Sequence, residues 1–162
     1  MVDADYDFEK TDAGSLGIEK VSAGSLKIGG MVMIKEHACK ISAYSTAKTG
    51  KHGAAKAMVT GIDIMTNSKY ECTFSTGDTV DAPVVKRLEY TLINVDDEEY
   101  VTLLLDTGDV KEDLKLPEEP HLKEVRDRIK EIFTAGTKEC VVTVLSCMGK
   151  EQIVHAREGK DQ

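Results

Sequence analysis

No apolar run in the chain approaches the ~20 residues that a membrane-spanning helix needs, so a helical membrane protein is excluded. The four cysteines, Cys39, Cys72, Cys140 and Cys147, include no Cys-x-x-Cys pair. That spacing argues against the usual zinc and thioredoxin-like sites. They read instead as small apolar residues of a reducing compartment, with Cys140 and Cys147 flanking an apolar run. The four histidines, His37, His52, His121 and His155, are scattered without an i, i+4 pair, so no metal site is expected. No Ser-His-Asp or Cys-His constellation emerges, and no catalytic residue is assigned. The first residues, Met-Val-Asp-Ala-Asp-Tyr-Asp-Phe-Glu, are acidic, where a secretory or transit signal is basic or poor in acids. The expected location is the cytoplasm.

What is present is a charge pattern. The formal net charge is −8, yet residues 20–87 carry ten bases against five acids. Residues 1–19 carry six acids and one base, and residues 88–162 eighteen acids and ten bases. An acidic chain with one basic segment is not a general nucleic-acid binder, but a local basic tip can meet a phosphate-rich partner in one orientation. The basic segment peaks at Lys48-Thr49-Gly50-Lys51-His52-Gly53-Ala54-Ala55-Lys56. Gly50 and Gly53 bracket Lys51-His52, as in an exposed tight loop. Residues 39–45 and 58–64 on either side are short, partly alternating apolar segments. The simplest structure is a β-hairpin whose tip presents Lys51 to solvent.

Along the chain, residues 1–22 lack a sustained period and read as a disordered acidic tail. Short strands are expected at 31–34, 39–45, 58–64, 69–74 and 80–85, the last broken by Pro83, with a turn at Lys35-Glu36-His37. Strands at this spacing build a small barrel or sandwich over 23–87. A boundary falls after Lys86-Arg87. Further strands are expected at 88–95, 100–105, 114–117, 140–145 and 152–156. A helix over about 118–133 places Leu122, Val125, Ile129, Ile132 and Phe133 on one apolar stripe, with Pro120 at its start and Gly136 past its end. Strands, a helix, then strands fit a five-stranded OB-like barrel over 88–162.

Two other motifs are weaker. Gly50-Lys51 is no P-loop, because His52 follows the lysine and Ser45 stands where the first glycine belongs. Asp106-Thr107-Gly108 matches the triplet of aspartic proteases, which need two facing aspartates and hence, here, a homodimer. Asp109 follows where a small residue is usual, and Asp-Gly sequences commonly form turns. A turn is expected.

The run Ser45-Thr46-Ala47-Lys48-Thr49-Gly50-Lys51-His52-Gly53-Ala54-Ala55-Lys56, followed by Gly61-Ile62-Asp63-Ile64, resembles the hypusine loop of the eukaryotic translation initiation factor 5A family. The likeness continues through Lys69-Tyr70-Glu71, Val85-Lys86-Arg87, Glu112-Asp113-Leu114-Lys115-Leu116-Pro117 and Val142-Thr143-Val144-Leu145-Ser146. Ala54 departs from the histidine usual in that family. The resemblance implies a mostly β fold, an N-terminal SH3-like barrel followed by a C-terminal OB-fold carrying one α-helix. It implies that Lys51 is converted to hypusine: deoxyhypusine synthase transfers an aminobutyl group from spermidine, and deoxyhypusine hydroxylase adds a hydroxyl. Hypusine is a covalent modification, so no separate cofactor is implied. Lys48, Thr49, Gly50, His52, Gly53 and Lys56 would form the loop that meets ribosome and peptidyl-tRNA near the E site. There the factor would promote peptide-bond formation at stalled or proline-rich sequences, and termination. The alternative is an OB-fold module that binds single-stranded RNA off the ribosome. Such a module wants a basic groove with stacking aromatics, whereas residues 88–162 are acidic and hold only Tyr90, Tyr100 and Phe133.

Overall fold

Period-two alternation governs most of the chain, and the computed structural model, which describes residues 17–48 and 55–162, resolves it into eleven strands among those residues. Two compact units divide between Val85 and Lys86, with the short segment Cys147–Gly149 grouped with the first. Among the described residues no helix is long and apolar enough to cross a membrane.

The first unit holds β1 (Ile18–Ser22), β2 (Met31–Ile34), β3 (His37–Lys48), β4 (Ala55–Asp63), β5 (Lys69–Ser75) and β6 (Thr79–Pro83). Strands β2-β3-β4-β5 form one antiparallel sheet, and β1 pairs with β6. The inward alternates, Val32, Ile34, Cys39, Ile41, Ala57 and Val59, are almost wholly buried and join Ala23, Leu26 and Val80 in one core. The β2–β3 turn is only Lys35-Glu36, since Ile34 pairs directly with His37. Both turn residues have positive φ, 50° and 70°, the geometry that matches the right-handed twist of a two-residue hairpin. His37, expected in that turn, is already the first residue of β3.

Residues 18–22 correct the reading of an unstructured tail up to Ser22. They form β1, in register from Ile18 opposite Pro83 to Ser22 opposite Thr79. The segment has no strong period of its own; its partner lies some sixty residues away, and backbone pairing with β6 supplies the order. Residues 1–16 lie outside the described residues. Pro83, expected to break the strand, is the last residue of β6, where a missing N–H costs least.

The second unit holds β7 (Lys86–Val95), β8 (Tyr100–Leu104), β9 (Val110–Lys115), a 3-10 turn at Pro120–Leu122, α1 (Lys123–Ala135), β10 (Lys138–Cys147) and β11 (Lys150–Asp161). The sheet order is β11-β10-β7-β8-β9, with the helix between the unit's third and fourth strands, the layout of an OB-fold. Ile129 and Ile132 of α1 pack with Leu92, Val101, Leu103, Leu116, Val142, Val144 and Ile153. The helix ends at Gly136, whose φ of 68° is left-handed and whose N–H donates to the Ile132 carbonyl at 3.2 Å, an αL cap. Phe133, assigned to the buried stripe from spacing, is 39% exposed, because it lies at the stripe's edge. The third strand is Val110–Lys115, earlier than the expected 114–117, and the last is longer than 152–156.

One polar lock ties α1 to the β7–β8 connection. Asp96 Oδ1 accepts the Glu98 and Tyr100 amides, each at 2.9 Å. Glu99, at φ 72°, then bonds Arg126 and lies 3.0 Å from the Lys130 Nζ. The Arg126 and Lys130 hydrogen bonds hold the Glu99 carboxyl down at about 2. A carboxyl depressed in the folded state stabilises above its unfolded pKa, and that stability is lost as pH falls through the folded one. In thermal melts across a pH series, wild type is expected to lose stability between about pH 4.5 and 2 more steeply than Glu99→Gln.

In the first unit, a Cβ added at Gly61 would lie 2.6 Å from Cys39 Cβ and 3.0 Å from Ile34 Cδ1. Cys39 Cβ is attached directly to the backbone and cannot swing away, and Ile34, wholly buried, has little room to move in a packed core. Gly61→Ala is therefore expected to cost about 1–3 kcal/mol by overpacking, read as a lower urea midpoint with unchanged slope.

Candidate functional site: the β3–β4 hairpin

The hairpin is built by nine residue pairs, from Cys39 opposite Asp63 at its base to Lys48 opposite Ala55 at its outer end. Near the base, Cys39 and Ile41 face the core. The register then shifts between Ile41 and Ala43, a bulge at Ser42 that reverses the strand's phase. After it, Tyr44 points inward and donates its hydroxyl to the Ala23 carbonyl at 3.2 Å, while Ser45 and Ala47 are exposed. On the other arm, Thr76 N–H donates to the Ala55 carbonyl at 2.9 Å, securing the last paired residue before the loop.

Lys48 and Lys56 are both exposed. Lys48 pairs with Ala55, and Lys56 with Ala47, so the two lysines stand on opposite alternates of the ladder. Lys56 Nζ donates to Ser75 Oγ at 3.0 Å. Thr49, Gly50, Lys51, His52, Gly53 and Ala54, and with them the expected exposure of Lys51, lie outside the described residues. The strands that run directly into that segment are the ones its flanking sequence predicts.

The hairpin's base carries a polar anchor that sequence reasoning missed. Asp63 is the one polar or charged residue in the buried class among the described residues, at 6% exposure. Its Oδ1 accepts the Met65 and Thr66 amides at 2.8 and 3.2 Å, and its Oδ2 lies 2.9 Å from His37 Nδ1. The His37 ring stacks on Tyr70 at 4.1 Å between centroids. Burial works to raise the Asp63 pKa, but the two amides and His37 overcome it and hold the carboxyl below its usual range. Burial, followed by the Asp63 charge, pushes the neighbouring Cys39 thiol up to about 11, which keeps it protonated and unreactive. Burial likewise raises Cys140 and Cys147. The available signal was Asp63 at an inward alternate of a strand, where a charge demands partners.

Asp106-Thr107-Gly108-Asp109 forms the β8–β9 turn. Gly108, at φ 93°, donates to the Leu105 carbonyl at 2.9 Å, and Thr107 Oγ1 donates to Asp109 Oδ2 at 3.1 Å. Asp106 is an exposed residue of this turn.

A nine-pair hairpin braced at its base, in a small β unit followed by an OB-fold, defines a two-unit β protein whose first unit is organised around that hairpin. The family model described as "Translation initiation factor 5A-like, N-terminal" matches residues 18–78. The model described as "Eukaryotic elongation factor 5A hypusine, DNA-binding OB fold" matches residues 84–157. Eukaryotic translation initiation factor 5A-1 of Arabidopsis thaliana is 42% identical over 153 residues, covering 94% of each chain. The Saccharomyces cerevisiae factor 5A-1 is 39% identical over 158 residues, covering 98% of this chain and 97% of that one. Among solved structures, a factor 5A family protein from Naegleria fowleri superposes with a TM-score of 0.82 at 44% identity, covering 87% of this chain and 99% of that one. The factor from Methanococcus jannaschii gives 0.65 at 29%, covering 87% and 96%. The chain belongs to the translation factor 5A family. Its fold is mostly β, an N-terminal SH3-like unit followed by a C-terminal OB-fold.

Removing the anchor tests its role. Asp63→Ala leaves two amides and His37 without their acceptor and is expected to cost about 1–3 kcal/mol, measured by urea unfolding at pH 7.

Proposed function

We propose that the chain is a non-enzymatic, hypusine-bearing translation factor of the cytoplasm. Lys51 is the acceptor lysine. Deoxyhypusine synthase transfers the aminobutyl group of spermidine to its Nζ, and deoxyhypusine hydroxylase completes the residue. The modified loop, with Lys48, Thr49, Gly50, His52, Gly53 and Lys56, meets the ribosome near the E site and the acceptor end of the peptidyl-tRNA. There it promotes peptide-bond formation at stalled or proline-rich sequences, and termination.

The observation that carries this reading is the Lys-Thr-Gly-Lys-His-Gly sequence at the outer end of a nine-pair hairpin in a chain of the 5A family. The chemistry agrees with it. Lysine is a compact cation on a flexible four-carbon stem. Alkylation by an aminobutyl group roughly doubles its reach and adds a second amine, so one side chain can contact two backbone phosphates or riboses. Such contacts position a strand without reading its sequence.

The acidic OB-fold weighs against a single-strand binder acting off the ribosome. Its groove along β7, β10 and β11 is lined by four acids, Glu89, Asp106, Glu139 and Glu158, against Arg157 and Lys160, with Tyr90 as its one aromatic, and the Arg157 guanidinium is held by both oxygens of Glu89 at 3.1 and 3.2 Å.

The test is complementation of a strain lacking its own factor. Arg keeps the charge but is not the primary amine that the synthase alkylates. Lys51→Arg is expected to keep the wild-type melting temperature and to give no growth. Growth at the wild-type rate would overturn the assignment.

A further inference from the structure

The OB-fold sheet has a second face, the one its core does not use. Leu92 and Leu103 pair across β7 and β8 and are both buried. The neighbouring pair, Thr91 opposite Leu104, therefore points outward. The register extends this pair in both directions, with Val141 of β10 opposite Thr91 and Val110 of β9 opposite Leu104. One row, Val141, Thr91, Leu104 and Val110, thus crosses four strands. It reaches β11 at Gly159, where an added Cβ would meet Val141 Cγ2 at 2.9 Å. Leu104 is 39% and Val110 50% exposed, so the row is apolar surface turned to solvent.

Shape, charge and backbone geometry together define what fits there. Gly159, Val141, Thr91 and Leu104 line a groove of about 540 Å³ that runs across the strands. From β11 to β9 the row spans four strand spacings, about 19 Å. Acids flank it on both sides. Glu89 lies two residues before Thr91 and Asp106 two after Leu104, on one side, and Glu139 lies two before Val141, on the other. Among the described residues Asp106, Glu139 and Glu158 form no ion pair, while the nearby Arg157 is neutralised by Glu89. An occupant with cationic margins supplies the missing charge. Strands β10, β7 and β8 are already paired on both edges. An extended peptide laid across them would find no partners for its N–H and C=O groups, whereas a helix satisfies its own.

We propose that this row is the docking site for an amphipathic helix of a partner protein, apolar on one side and bearing Lys or Arg along its margins. One helical turn rises about 5.4 Å and neighbouring strands lie about 4.8 Å apart, so apolar residues at i, i+4, i+7 and i+11 meet successive strands. Roughly 13 residues of helix cover the row. The same acids repel a phosphate backbone. Tyr90, the groove's one aromatic, stands opposite Val142 and packs on the core, so it offers unpaired bases no free ring on which to stack. The inference concerns the OB-fold unit by itself and stands apart from the reading of Lys51.

The test uses the full chain and a display library of helical peptides about fourteen residues long. Four positions on one side vary among Leu, Ile, Val, Met and Phe, and the others among Ala, Lys and Arg. Clones selected on wild type are expected to gain helicity on binding, read by circular dichroism. They are expected to lose roughly tenfold in affinity on Leu104→Gln/Val110→Gln. Glu139→Gln/Glu158→Gln is expected to weaken them at about 50 mM salt and to match wild type at about 500 mM, where the charges are screened. Ile28→Gln, which removes an exposed apolar residue from the first unit, is expected to leave affinity unchanged. Wild-type melting temperatures show that the variants are folded. A library that enriches no clone would overturn the proposal, as would clones that bind Leu104→Gln/Val110→Gln as tightly as wild type. Equal binding by clones with the same composition scrambled off one side would reduce the site to charge alone and overturn the helix. Self-association of the wild-type chain that Leu104→Gln/Val110→Gln abolishes would give the row to a second copy and overturn the partner.

Discussion

The register of β3 against β4 is the constraint on which the rest of the first unit depends. Strand side chains alternate strictly, so a one-residue slip would carry Ile41 and Val59 to solvent and bring polar neighbours inward. The core therefore fixes the pairing, and the pairing fixes every outward residue. The bulge at Ser42 matters for the same reason. Were Ser42 paired in regular alternation instead of bulged, Tyr44 would face outward and lose its bond to the Ala23 carbonyl. Gly61 permits the tight packing beneath, where Cys39 and Ile34 occupy the space a side chain would need.

On the proposed reading, function in this architecture is a matter of presentation. The two arms are held by a full ladder, and the lower end is pinned by Asp63, whose buried carboxylate is satisfied by two amides and His37. A satisfied buried charge fixes geometry, whereas the loss of a single partner leaves it costly. The OB-fold unit uses the same device at Glu99, where one carboxylate ties a strand connection to two basic residues of α1. Both carboxylates sit at connections between strands, while the sheets beside them are held by apolar packing.

Much of this was legible in the sequence because it is local. The hairpin follows from two alternating segments around a glycine-bracketed loop, and α1 from Leu122, Val125, Ile129 and Ile132 between Pro120 and Gly136. What was not legible depends on distant partners. β1 owes its order to β6, far along the chain. The His37–Asp63 pair joins residues 26 apart, and neither residue signals the other by type or spacing. Phe133 shows the limit of periodicity, which ranks positions around a helix but does not tell how wide a stripe the sheet covers. The lysines at 40, 56 and 69 read as scattered charge until the register sets them on one face. Lys48 and Lys56 read as one loop until the ladder places them on opposite alternates.

The central claim is that Lys51 is the residue this hairpin exists to present, as a modified side chain. Peptide mapping with intact mass of the protein purified from its native host tests it most directly. The account predicts that the peptide containing Lys51 carries one aminobutyl group and one added oxygen, and that the other lysines carry neither. An unmodified Lys51 in the native protein, or the same addition on a different lysine, would contradict it.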